Sequence, residues 1–133
     1  MILTSAQLAQ LIAQARRDAP NETCGLIGGR DARALEIYPL KNIDASPRTC
    51  YFADPQELVR ATLDIQVRGW QVLAIYHSHP ASPAYPSPTD VARTFYPDAI
   101  YIVISLLNPE TTQVRGFQIH GSQISEVTLD IEE

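Results

Sequence analysis

Four prolines fall within nine residues, at Pro80, Pro83, Pro86 and Pro88, and this segment constrains the fold more than any other. Each proline fixes φ and removes a backbone donor, so neither a helix nor an interior strand can run through it. The segment must be a stiffened, extended loop. What flanks it is regular. Upstream, Trp70 to His77 is strongly apolar, with Val72, Leu73, Ile75 and Tyr76, and reads as a strand. Downstream, Ser87-Pro88-Thr89-Asp90 opens a short helix toward Phe95, with serine as N-cap and proline at the first helical position. Strand, rigid connection and helix thus follow one another in an α/β chain.

The remaining segments fill out one domain. Thr4-Ser5-Ala6-Gln7 has the form of a capping box, and Leu8, Leu11, Ile12 and Ala15 recur at helical spacing until Pro20. Cys24 to Gly29 reads as a buried strand that pairs with Ala34 to Leu40 in a hairpin around Arg30-Asp31. Asp54-Pro55 starts a second helix whose inner face is Leu58, Ala61, Thr62 and Ile65, and Gly69 suits its left-handed end. Ile100–Leu106, Gln113–Ile119 and Ile124–Leu129 are three further strands, with turns at Asn108-Pro109 and Gly121. With no repeat or linker in view, residues 1–133 read as a single domain, a mixed, curved β-sheet flanked by helices.

Charge narrows the function. Ten basic residues against fifteen acidic ones give a net charge of −5, and Lys41 is the only lysine. Nucleic acids and anionic membrane surfaces both need a basic face, so neither is an expected partner. The longest apolar stretch, Ile100 to Leu107, is too short to cross a bilayer, and Met1 to Ser5 has no basic region preceding an apolar one. Two cysteines, Cys24 and Cys50, form no disulfide framework. The expectation is a cytoplasmic protein.

The chemistry lies around the prolines. His77 and His79 are two apart in a strand and project to one face. The expectation places them at the sheet's edge, open to solvent. Asp90, on the first turn of the next helix, can return as a third ligand. Two imidazoles, a carboxylate and a water make an open, four-coordinate zinc site. Each piece also has a structural reading: HxH as polar groups at a strand boundary, and Ser87 with Asp90 as an ordinary helix start. Their arrival together, at one spacing in one short window, favours the metal. A zinc hydrolase needs a base outside the ligand set, and Glu22, between Pro20 and a buried strand, is the candidate, with a solvated loop residue as the alternative.

Glu22-Thr23-Cys24-Gly25-Leu26-Ile27-Gly28, followed by His77-Ser78-His79-Pro80 and Pro86-Ser87-Pro88-Thr89-Asp90, resembles the JAMM (MPN+) metalloprotease family in its compact prokaryotic form. The resemblance spans nearly the whole chain. It implies a cytidine-deaminase-like MPN domain and hydrolysis of the peptide or isopeptide bond next to the C-terminus of a ubiquitin-like or sulfur-carrier protein. Carried over residue by residue, it implies that His77, His79 and Asp90 hold one Zn2+ per chain. Glu22 would shuttle the proton, and Ser87 would donate to the oxyanion. The long insertions with which eukaryotic members choose ubiquitin linkages are missing, which puts linkage specificity in doubt.

Other residues carry less. Tyr85, in the proline loop, is the aromatic best placed to touch substrate. Cys24 and Cys50 read as inert core thiols, His120 as a turn residue, and Trp70, Phe52, Tyr76 and Phe117 as packing. Two rival functions remain: a non-catalytic MPN-type scaffold, separable by metal content, and a RadC-like protein associated with DNA repair, separable by DNA binding.

Overall fold

The computed structural model describes residues 1–133. Its first strand, β1 (Ile2–Thr4), runs straight into α1 (Ser5–Asp18). Thr4 closes the predicted capping box: its hydroxyl accepts the Gln7 N–H at 3.0 Å, and its own N–H donates to Gln7 Oε1 at 2.9 Å. β2 (Cys24–Arg30) and β3 (Arg33–Leu40) form the expected antiparallel hairpin, turned at Asp31 and Ala32, both with positive φ. α2 (Pro55–Val67) starts at Asp54, whose side chain accepts the Gln56 N–H, and Gly69 follows it at φ +73°. Then come β4 (Gln71–His79), α3 (Pro88–Ala92), β5 (Ile100–Ser105), β6 (Gln113–His120), β7 (Gln123–Val127) and β8 (Asp130–Glu132).

All eight strands share one mixed sheet in the order β7-β6-β5-β4-β2-β3-β1-β8. Alternation along the strands sorts side chains between two faces. One face packs Leu3, Leu11, Ala15, Ala74, Tyr76, Ile102 and Ile104 beneath α1. The other packs Cys24, Leu26, Ile75 and Tyr101 against Ala61 and Ile65 of α2. A helix therefore covers each face, as expected. No helix is long and apolar enough to cross a membrane.

Three expectations need correction. β4 runs two residues past His77 and ends at His79, and it is an interior strand rather than an edge. Its last residues are held on both sides, Cys24 opposite His77 on β2, and Val103 and Ser105 opposite His77 and His79 on β5. His77 and His79 are consequently buried, at 1% and 3% exposure, not open to solvent. The C-terminal segment is also two strands, because the chain breaks pairing with β6 after Val127 and pairs β8 in parallel with β1. Finally, Phe52 is 51% exposed and Cys50 only half-buried, so neither belongs to the core.

Candidate metal centre

The proline loop does what its composition implies: it carries the chain from β4 back over the sheet, with Ala84 and Pro86 buried, and delivers α3 beside the two histidines. α3 begins with a second capping box. Ser87 Oγ accepts the Asp90 N–H at 3.1 Å, and the Ser87 N–H donates to Asp90 Oδ2 at 2.8 Å. That same Oδ2 lies 3.0 Å from His77 Nε2 and 3.1 Å from His79 Nε2, and the two Nε2 atoms are 3.1 Å apart. The helix-start reading of Ser87 and Asp90 is thus realised, and the oxygen that caps the helix is also the one that meets the two histidines.

Three donors from β4 and α3 converge on a point. Tetrahedral ligands at about 2.0–2.1 Å from zinc would stand roughly 3.3 Å apart, close to the separations seen. The orientation of His79 agrees. Its Nδ1 lies 2.8 Å from the Pro83 carbonyl, which accepts the hydrogen bond of an Nδ1–H and so leaves Nε2 with its lone pair facing inward. Burial lowers the proton affinity of His77, favouring the neutral, ligating imidazole. Burial works against ionised Asp90, yet in the metal-free chain, where the histidines can carry a proton at Nε2, their hydrogen bonds hold it well below the usual carboxylate range and Asp90 in turn raises His79 against its burial. The donor set fits a small divalent cation with nitrogen and oxygen ligands.

Glu22 joins them from the residue pair that leads into β2. It is 4% exposed, and its carboxylate lies within 4.8 Å of the ligand nitrogens of His77 and His79. Its backbone is pinned on both sides: its N–H donates to the Pro47 carbonyl at 2.7 Å, and its carbonyl accepts from Asn42 Nδ2 at 3.0 Å. The next residue, Thr23, donates its N–H to Ser78 Oγ at 2.8 Å, and the Ser78 N–H returns a bond to the Thr23 carbonyl. Ser78 points away from the histidines that flank it, toward α1, and ties the Glu22 segment to β4. Gln14 and Tyr76 extend this buried chain, with Gln14 Nε2 reaching Thr23 Oγ1 at 2.7 Å and the Tyr76 hydroxyl donating to Gln14 Oε1 at 2.6 Å. A Cβ on Gly25 would collide with that hydroxyl. Glu22 itself has no such support, since Oε1 is buried without a hydrogen-bond partner. Desolvation pushes its carboxyl up to about 8.

The other predicted residues lie further out. Tyr85 is 49% exposed and packs edge-on against Phe117, so its neighbour is β6 rather than the convergent donors. Cys24 is buried beside the site, where desolvation raises its thiol to about 12, and its Sγ turns to the Leu40 carbonyl. His120 sits exposed at the β6–β7 turn. Sequence reasoning missed Tyr51, whose ring stacks on His77 with centroids 4.6 Å apart. Nothing local distinguishes it, because the contact joins residues 26 apart through a loop without periodicity.

Comparison with known proteins places this fold in a family. The family described as prokaryotic homologs of the JAB domain matches residues 4–119. The chain belongs to that family. Among this JAB-family chain's relatives is a Thermus thermophilus protein named as a probable TtuB-protein conjugate cleaving protease. It is 40% identical over 126 residues, covering 92% of this chain and 78% of the relative. A Mycobacterium tuberculosis protein named CysO-cysteine peptidase is 31% identical over 135 residues, 100% of this chain and 92% of that one. The solution structure of a Desulfitobacterium hafniense protein, 39% identical, superimposes with a TM-score of 0.89 over 100% of this chain and 94% of that one. A JAB1/MPN domain protein from Archaeoglobus fulgidus, 18% identical, shares the fold at a TM-score of 0.66 over the full length of both.

Proposed function

We propose that this protein is a zinc peptidase that hydrolyses the peptide or isopeptide bond following the C-terminus of a ubiquitin-like or sulfur-carrier protein. The observation that carries this is the convergence of His77 Nε2, His79 Nε2 and Asp90 Oδ2 within 3.1 Å of one another, with the buried Glu22 carboxylate alongside. Family membership and the relatives named for cleaving TtuB conjugates and CysO-cysteine support the substrate class. Residues 1–133 act as one domain, since every strand shares one sheet. Two free thiols suit a reducing cytoplasm.

His77, His79 and Asp90 would hold the zinc. When bound there, the ion supplies Lewis acidity and brings the ionisation of water close to neutral pH. Glu22 takes the proton of the attacking water and passes it to the leaving amine. Burial raises its carboxyl in the metal-free chain, and a cation bound beside it would draw it back down, so that it can take a proton and return it in the neutral range. Ser87 Oγ already accepts the Asp90 N–H, which leaves its own hydrogen free to donate to the scissile carbonyl oxygen as charge builds there.

The test uses zinc-loaded protein and carrier fusions ending in Gly-Gly followed by a reporter, read by intact mass. Cleavage after the second glycine, lost on chelation and restored by zinc, is expected. Intact fusions under all conditions would leave the peptidase reading without support. Replacing the last glycine by valine should block cleavage through the steric bulk beside the scissile carbonyl.

A further inference from the structure

A histidine that ligates a metal normally donates its other ring N–H to an acceptor, which fixes the plane of the ring. His79 follows this rule through the Pro83 carbonyl. His77 does not: its Nδ1 is buried with no hydrogen-bond partner. What meets this imidazole instead is the ring of Tyr51, stacked at 4.6 Å with an interplanar angle of 22°. The tyrosine is itself held firmly. Asn42 binds the backbone on either side of it, Nδ2 donating to the Cys50 carbonyl at 3.1 Å and Oδ1 accepting the Phe52 N–H at 3.0 Å. Arg93, at the end of α3, donates to the Tyr51 carbonyl at 3.1 Å and pairs with Asp44 at 2.9 Å. A bridge between Asn42 and Ala53 closes the same loop.

We infer that Tyr51 is a positioning residue for His77, its fixed ring setting the imidazole plane where no hydrogen-bond acceptor does so. The inference rests on the metal-centre reading of His77. It assigns the loop from Asn42 to Ala53 a part in metal affinity, although none of its side chains belongs to the ligand set. Stacking needs a flat ring, not a hydroxyl, so the phenol oxygen is dispensable and an aliphatic side chain of similar bulk is not an adequate substitute.

Zinc affinity measured by competition with a chromophoric chelator tests this directly, on the wild type, Tyr51→Phe, Tyr51→Leu and Phe52→Leu, the last altering the exposed neighbour. Tyr51→Phe and Phe52→Leu are expected within about twofold of wild type, and Tyr51→Leu weaker by about tenfold or more. In cobalt-substituted protein the visible d–d bands should change in Tyr51→Leu and not in Tyr51→Phe, a signature that a merely looser fold would not produce. Should Tyr51→Leu fold poorly, Arg93→Gln, which keeps the ring and removes one tie on its backbone, should weaken zinc severalfold. Wild-type affinity and bands in Tyr51→Leu would overturn the inference and leave the metal centre intact, as would an equal loss in Phe52→Leu. A wild-type chain that binds no zinc would remove both.

Discussion

Glu22 is a buried carboxylate with an unpartnered oxygen, and its burial should be measurable as instability. Take chelator-stripped protein and the isosteric substitution Glu22→Gln. In the folded chain desolvation raises this carboxyl to about 8, against an ordinary value of 4.5. Below pH 4.5 both folded and unfolded chains keep the proton, and the group contributes nothing to pH dependence. Between 4.5 and 8 the unfolded chain releases the proton and the folded chain retains it, so stability falls as pH rises. Above 8 both have released it and the penalty is constant. At about 1.4 kcal/mol per unit, the ceiling at pH 7 is about 3 kcal/mol. Relaxation of the folded chain around the new charge reduces this to roughly 1–3 kcal/mol. Urea unfolding of both proteins at pH 4.5, 6, 7 and 8.5 is the assay. The glutamine variant should gain on wild type across the window and hold its gain above it. Any constant offset from the amide drops out, because only the slope matters. Adding zinc should narrow the gap, since a nearby cation offsets the buried charge. A stability difference that ignores pH would refute the reasoning.

Three other outcomes follow from the geometry. The wild type should hold close to one zinc per chain and His77→Ala and Asp90→Ala should each lose most of it, measured by elemental analysis of dialysed protein; full occupancy in both would undo the ligand assignment. Ser87→Ala should cut turnover on the order of 10²- to 10³-fold if the hydroxyl steadies the oxyanion, and should cost about 1 kcal/mol for the lost cap in a thermal melt. Iodoacetamide at pH 8 should label half-buried Cys50 and spare Cys24, whose thiol is raised to about 12 by burial; peptide mapping showing equal labelling would contradict that placement.

How much of this was legible in the sequence differs from element to element. Thr4, Asp54 and Ser87 announced their helices because capping is local chemistry, and all three caps formed. The pairing of His77 and His79 with Asp90 was legible for the same reason, since a strand's two-residue period and a capping turn dictate where those side chains point. The depth of the site was not. Whether a strand is interior or at an edge depends on what pairs with it, and β5 joins β4 from 20 residues beyond its end. Strands of three residues such as β1 and β8 offer no period to read. Tyr51 escaped because stacking on His77 is a long-range contact made by an irregular loop.

Alternation along β4 has a further consequence. His77 and His79 face one way, while Tyr76 and Ser78, between and before them, face the other and are bolted to α1 and Thr23. The convergent side chains are therefore aligned from behind, by the face of the sheet that α1 covers. The front is built from two connections, Asn42–Ala53 and Pro80–Pro86, and their share in that alignment is a few fixed points: Asn42, the Pro47 carbonyl and the Tyr51 ring in the first, the Pro83 carbonyl in the second. Where those points are kept, recognition can drift while the reaction stays put. Exchanging the exposed side chains of the proline loop for those of a relative, with the backbone at Pro83 retained, should retarget the enzyme to another carrier's tail, whereas a single change at Gln14, on the far side of the sheet, should blunt it toward every carrier alike.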